Sequence, residues 1–189
     1  MRLILTRHGE TIDNEKGILQ GQLNGKLSEK GFEQAKKLAI RLKDENIDVI
    51  YSSDLERSVN TAKEIAKYHP NSKIFYVNEL RERNVGDFEG KKVNEVDWNN
   101  PPKNIEKPED MRKRAQKILD LAYKKYSDKN VLFVGHGGIN NVLITIIMNR
   151  PLEDRLKLEK QQNTAVNIFE IKEDKNHIVY LMNCTKHLE

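Results

Sequence analysis

The chain has 189 residues with 33 Lys and Arg against 29 Asp and Glu, a formal charge of +4, an apolar fraction of 37% and a charged fraction of 33%. That length suits one domain with a sizeable core, no run is long and apolar enough to span a membrane, and a lone cysteine, Cys184, excludes an internal disulfide. The basic balance (pI about 9.0) is interleaved with Glu and Asp and comes with few aromatics, which argues against a nucleic-acid partner and leaves a mild field favourable to phosphorylated small molecules.

Leu3 to Leu5 read as a short strand, and Thr6-Arg7-His8-Gly9 follow at once. In open α/β sheets ligands bind just past the carboxyl ends of strands. Arg7 and His8 therefore mark a candidate anion pocket holding a nucleophile or base, with Gly9 expected to turn the chain and admit a ligand close to the backbone. An Arg-His pair standing alone is more often a surface accident. Ile12 to Leu27, rich in Gly, Asn and Gln, reads as a loop. Ser28 is placed to cap a helix whose Phe32, Ala35, Leu38, Ala39 and Leu42 recur at helical spacing.

Val49-Ile50-Tyr51 form a second strand. Ser52, Ser53 and Asp54 end it and offer caps for a helix with an apolar stripe of Val59, Ala62, Ile65 and Ala66. Arg57 falls in the first turn of that helix, where the dipole disfavours a cation; an anion bound at the same place would explain it. Lys73 to Val77 read as a third strand, and the polar stretch to Gly90 offers Glu79, Glu82 and Glu89 as acids or bases. Residues 91–107, with Trp98, Pro101 and Pro102, show no period and are expected to form a lid-like insertion.

Pro108 suits the first position of a helix carrying Met111, Ala115, Ile118, Leu119, Ala122 and Tyr126 on one stripe. Val131 to Val134 form a continuous apolar run, as in a strand buried on both faces. Gly135-His136-Gly137-Gly138 follow directly, then Ile139, Val142, Leu143, Ile146 and Ile147 in helical register. Residues 151–162 are amphipathic and partly helical, and two strands, Ala165 to Ile171 and Ile178 to Met182, form a terminal hairpin. The alternation predicts a three-layer α/β/α sandwich, with a mostly parallel central sheet, helices on both faces and an antiparallel edge strand. One domain over 1–189 is expected.

His8 with Arg7, Arg57 and His136 each follow a separate strand at the ligand-binding end. Guanidiniums grip phosphoryl oxygens through several donors. Neither a Walker loop nor a Ser or Cys nucleophile turn is present. Leu5 to Thr11 (LTRHGET), Ser52 to Arg57 (SSDLER), Leu80-Arg81-Glu82 with Gly86 and Glu89-Gly90, and Gly135 to Gly138 (GHGG) occur in that order. On these four blocks, with Asn163 to Ala165 and Asn183 to His187, the chain resembles the histidine phosphatase family, which includes cofactor-dependent phosphoglycerate mutases.

The resemblance implies a phosphoglycerate mutase-like fold and a set of roles. His8 would be the nucleophile that becomes phosphohistidine. Arg7, Arg57 and His136 would bind the transferring phosphoryl group. Glu82 would protonate the leaving alkoxide and then activate water, so it must begin protonated. Asn14, Gly21 and Gly137 would add phosphate or substrate contacts. His8 needs one ring nitrogen free and the other bonded to an acceptor, expected to be a backbone carbonyl. No cofactor and no metal are implied. The short 91–107 segment and the GHGG block resemble the phosphatase branch, with its α-ribazole and broad-specificity phosphatases. Asn141 departs from many such members, which carry arginine there. A phosphatase for small phosphorylated metabolites is the expectation, with mutase-type transfer as the alternative; a metal-dependent hydrolase and a non-catalytic regulatory domain are the rivals from other classes. A cytoplasmic protein without membrane or nucleic-acid partners is expected, its oligomeric state left open.

Overall fold

The computed structural model describes residues 1–189. Six strands form one sheet: β1 (Arg2–Arg7), β2 (Val49–Ser53), β3 (Lys73–Val77), β4 (Asn130–Gly135), β5 (Val166–Glu170) and β6 (Ile178–Cys184), in the order β3-β2-β4-β1-β5-β6. The first four are mutually parallel, so their carboxyl ends share one edge of the sheet. The strand that opposes them is β5, paired antiparallel with β1 and standing one place in from the margin. β6 turns back against β5 and forms the margin itself.

Alternation along the central strands sorts the core into two layers, because successive strand side chains point to opposite faces. Leu3, Leu5, Val49, Tyr51, Val131 and Phe133 pack with the buried stripes of α4 (Pro108–Tyr126) and α5 (Gly137–Ile147). Ile4, Ile50, Leu132 and Val134 pack with those of α2 (Glu29–Leu42) and α3 (Glu56–Ala66). Strands β1 and β4 are buried on both sides, which is why they read as unbroken apolar runs.

Local differences from the expected elements have simple causes. The stretch read as a loop opens with a helical turn, α1 (Ile12–Glu15), because Thr11 and Asn14 form a reciprocal capping box. Phe32 lies on the periodic stripe of α2 yet is exposed. The α3 cap is Leu55, without a side-chain bond; Ser53 Oγ instead accepts from the Leu55 N–H at 3.3 Å. Pro108 does begin α4, and Ser28 does cap α2, accepting from Gly31 N–H. Residues 152–156 form a 3-10 turn.

Candidate active site

The register of the two central strands creates the site. Arg7 pairs with Gly135, so the next residues along each chain, His8 and His136, emerge side by side with ring centroids 5.0 Å apart. The His8 backbone is held from both flanks: its N–H donates to Gly135 O at 3.1 Å, and its carbonyl accepts from Asn163 Nδ2 at 3.0 Å. Its ring Nδ1 lies 2.6 Å from Gly9 O. A carbonyl can only accept, so Nδ1 carries the proton and Nε2 keeps its lone pair. Burial, then Arg57 and Arg7, push the His8 ring well below the usual histidine range. The imidazole is therefore neutral and fixed in orientation, with the Nε2 lone pair free.

Arg57 is 1% exposed and enters from the start of α3. Its Nη1 donates to Leu23 O at 2.7 Å, its Nη2 to Gly21 O at 2.8 Å and its Nε to His136 Nδ1 at 3.1 Å. Burial lowers its pKa to about 10, which leaves it cationic at neutral pH. Since His136 Nδ1 accepts, its Nε2 carries the proton, facing Ser58 Oγ at 3.2 Å. Both His136 nitrogens are thus engaged, and direct donation to a phosphoryl oxygen would require one of these bonds to be exchanged. Burial, then Arg57, hold this ring too well below its ordinary range. Arg7 donates through Nη1 to Gln161 O at 2.7 Å, while its buried Nε has no partner.

Glu82 is held against the N-terminus of α5. Its Oε2 accepts from Gly138 N–H at 2.9 Å, and its Oε1 accepts from Ile139 N–H at 3.2 Å and Arg83 N–H at 2.8 Å. A side chain at Gly138 would put its Cβ 2.5 Å from Glu82 Oε1, so the glycine makes room for the carboxylate. The segment carrying Glu82 is anchored by Arg114, which donates to Glu79 O at 2.8 Å, Arg81 O at 2.6 Å and Glu82 O at 3.1 Å. Arg114 also makes a two-pronged pair with Glu106, at 2.7 and 3.0 Å. Sequence reading missed this anchor, because its members come from different elements.

The remaining expected residues are distributed as follows. Asn14 Oδ1 accepts from Thr11 N–H at 3.2 Å and from Asn163 Nδ2 at 3.4 Å, the same amide that binds His8 O. Gly21, at φ +50, serves through its carbonyl on Arg57. A Cβ on Gly137 would lie 3.7 Å from Arg7 Nε and 3.9 Å from Glu82 Oε2. Gly9 departs from expectation. What approaches it is the backbone of Gly31, whose carbonyl would sit 2.4 Å from an added Cβ, so this glycine lets α2 dock onto the strand end.

Beside Arg7, Glu82, Gly137 and Gly138 opens a cleft of about 440 Å³, walled further by Arg83, Met111, Asn141, Arg155, Leu156, Leu158, Lys160 and Gln161. No residue of 91–107 lines it. That segment packs elsewhere, with Trp98 edge-on to Phe88 at 5.3 Å and Asn104 bonded to Asp87. The wall facing the site belongs instead to residues 155–161. The two histidines are bordered by guanidiniums, and no three His, Cys, Asp or Glu side chains are gathered to hold a metal ion.

Comparison with known proteins agrees with this arrangement. The family model described as histidine phosphatase superfamily (branch 1) matches residues 3–184. A probable phosphatase of Schizosaccharomyces pombe, C1687.21, is 34% identical over 100% of this chain and 96% of its own. The solved structure of Bacillus stearothermophilus YhfR superposes with a TM-score of 0.92 at 28% identity, covering 100% of this chain and 99% of that one. Phosphoserine phosphatase from Entamoeba histolytica, solved with 3-phosphoglyceric acid, superposes with a TM-score of 0.86 at 28% identity, covering 100% and 99%. A match running almost end to end, on a fold that sets the unprotonated His8 nitrogen in the field of Arg57 and Arg7, shows that the chain belongs to the histidine phosphatase superfamily.

Proposed function

We propose that this protein hydrolyses small phosphorylated metabolites in two displacements at phosphorus, with His8 as nucleophile. The observation that carries the reading is the His8 Nδ1–H bond to Gly9 O, which leaves Nε2 unprotonated in a pocket of fixed positive charge. The substrate phosphoryl group would lie among His8 Nε2, Arg7 and Arg57. Nε2 attacks phosphorus, the ester P–O bond breaks, and the Glu82 carboxyl proton passes to the departing alkoxide oxygen. Water then attacks the phosphohistidine, Glu82 takes its proton, and inorganic phosphate leaves with the His8 ring restored.

The charge spread over the equatorial oxygens is met by donors already in place, and such preorganised stabilisation supplies most of the acceleration in phosphoryl transfer. Arg57 has five N–H groups, of which three are committed to Gly21, Leu23 and His136. The other two, with the Arg7 N–H groups not committed to Gln161, among them the buried and unpartnered Nε–H, are the available donors. His136 and Ser58 fix the Arg57 fork. Asn14 and the Gly137 N–H complete the cradle, the latter at the positive end of α5. Residues 1–189 act here as one catalytic unit on a cytoplasmic small-molecule substrate; no helix is long and apolar enough to cross a membrane.

The test is a hydrolysis screen over sugar phosphates, phosphoglycerates, nucleotides and phosphoserine, run with and without chelator, on the native protein and His8→Ala. Release of inorganic phosphate that survives chelator and disappears in His8→Ala is expected. Chelator-sensitive turnover, or normal turnover in His8→Ala, would refute the reading. Phosphoryl transfer between substrate hydroxyls without phosphate release would assign the mutase alternative.

A further inference from the structure

The Arg7 guanidinium makes one hydrogen bond within the protein, from Nη1 to Gln161 O at 2.7 Å. Residues 157–165 belong to no helix or strand, so no ladder of backbone bonds fixes that carbonyl. A side chain from the outermost strand does so instead. Asn183 Oδ1 accepts from Gln162 N–H at 3.0 Å and Asn183 Nδ2 donates to Lys160 O at 3.2 Å, one bond on each flank of Gln161. The Asn183 N–H donates to Asn167 Oδ1 at 2.8 Å. Asn167 Nδ2 in turn donates to Gln161 Oε1 at 2.8 Å and to Leu5 O at 3.0 Å, in the strand that ends in Arg7. Gln161 and Asn167 are both fully covered. The backbone is shaped to allow this. Val166 faces Cys184 while Ile168 faces Leu181, so β6 carries one residue more than β5 between those pairs. Asn183 lies in that bulge at φ +46, a conformation that asparagine adopts more readily than most residues. Bulges beside active sites re-aim a side chain in this way.

We propose that Asn183 is a positioning residue for phosphoryl transfer: by holding Gln161 from both flanks, it sets where the Arg7 guanidinium stands beside His8. The proposal rests on the hydrolase reading above and adds to it a residue that touches neither substrate nor reacting atoms. A long side chain loses its advantage as a preorganised donor if it can swing. Fixing one Nη on a pinned carbonyl removes that freedom and leaves the other N–H groups for phosphoryl oxygens. The same placement bears on the nucleophile, because Arg7 is one of the groups that hold the His8 ring below its ordinary range. The relay runs from the margin of the sheet, across β5 and the 160–162 segment, to the end of β1.

The direct variant is Asn183→Gly, because glycine keeps the left-handed backbone and removes only the amide. With p-nitrophenyl phosphate, kcat/KM should fall by about tenfold or more, as it does when a group at the reacting centre is displaced by a fraction of an ångström. In an Arg7→Met background the same substitution should change kcat/KM by less than about twofold, since residues that act through one another are not additive. A residue that only stabilised the fold would lower both backgrounds alike. Native turnover in Asn183→Gly, or equal losses in the two backgrounds, overturns the proposal. A second measurement needs no Arg7 variant. In the ligand-free protein, the NMR signal of Arg7 Nε–H should move in Asn183→Gly while that of Arg57 Nε–H keeps its place; an unmoved Arg7 signal overturns the relay. The two levels separate cleanly. No turnover of this ester by the native protein sinks the hydrolase reading and leaves the NMR test of the relay standing, whereas turnover that Asn183→Gly leaves intact sinks the positioning role alone.

Discussion

Arg57 and Arg114 lie on opposite sides of Glu82 in the chain and show two uses of the same side chain. Arg114 faces Glu106 through two charge-assisted bonds, and both side chains are mostly covered, at 17% and 14% exposure. Its other donors clamp three carbonyls of the segment that carries Glu82. Arg57 is more deeply buried, at 1%, yet no carboxylate lies within ion-pair distance. Its protein partners are two carbonyls and an imidazole nitrogen. A buried charge without a counterion is expensive. On the proposed function, that cost falls where an anion is to be bound and is avoided where the arginine holds the backbone in place.

The contrast can be broken most severely by neutralising each arginine in turn. Arg57→Met should lower kcat/KM on the order of 10³-fold, since it removes preorganised charge from the transferring phosphoryl group. Inorganic phosphate should raise the melting temperature of the native protein by mass action but not that of this variant. Undiminished phosphate protection in Arg57→Met would show that the unpaired cation is not the anion site.

Glu82→Gln comes next. It keeps one acceptor oxygen for the backbone N–H groups around α5 but no acidic proton to give, so alkyl phosphates should slow by about 100-fold. Aryl phosphates, whose leaving groups need little protonation, should slow far less. Equal losses on both classes would remove Glu82 from the acid role.

Arg114→Met should act chiefly on stability. It removes the ion-pair partner of Glu106 and a donor from the carbonyls of Glu79, Arg81 and Glu82, the last of which keeps Gln22 Nε2, at a cost of about 2 kcal/mol, or roughly 5 °C in melting temperature. Phosphate protection should persist. A larger loss of stability in Arg57→Met than in Arg114→Met would reverse the assignment of the two arginines.

The smallest effect is a proton count. With its pKa held well below the ordinary histidine value by burial, Arg57 and Arg7, His8 keeps its lone pair as pH falls through about 6.5. NMR titration of the ligand-free protein should show no His8 protonation there, and in Arg57→Met the midpoint should move upward. A midpoint near 6.5 in the native protein would contradict the proposed electrostatics.

Much of this site could be read before the structure was in hand, because its parts are local. Apolar runs ending in Arg7-His8 and Gly135-His136 declare buried strands with chemistry at their ends. Arg57 at a helix start stands out because the dipole disfavours a cation there, and the structure places it beside His136. The sandwich follows from the alternation of strands and helical stripes. What stayed hidden is non-local. Gly9 needs its bare Cα for Gly31, 22 residues away in the chain, and nothing near either glycine announces the partner. Arg114 and Glu106 look like ordinary surface charges until α4 is laid against the Glu82 segment. Residues 91–107, loop-like in composition, read as a lid-like insertion, whereas nothing in the sequence singled out residues 155–161, which line the cleft. Phe32 shows the limit of periodicity, which assigns a face to a helix but not the width of what covers it.

The central claim is that phosphorus becomes bonded to one imidazole during turnover. The most direct measurement is rapid acid-free quenching of the enzyme with labelled substrate, followed by site mapping of the trapped label. The account predicts a label on His8 that is lost in acid, stable in base, formed and discharged at rates compatible with turnover, and missing in His8→Ala. Full turnover with no label trapped at any time, or a label on another residue that persists in His8→Ala, would contradict it.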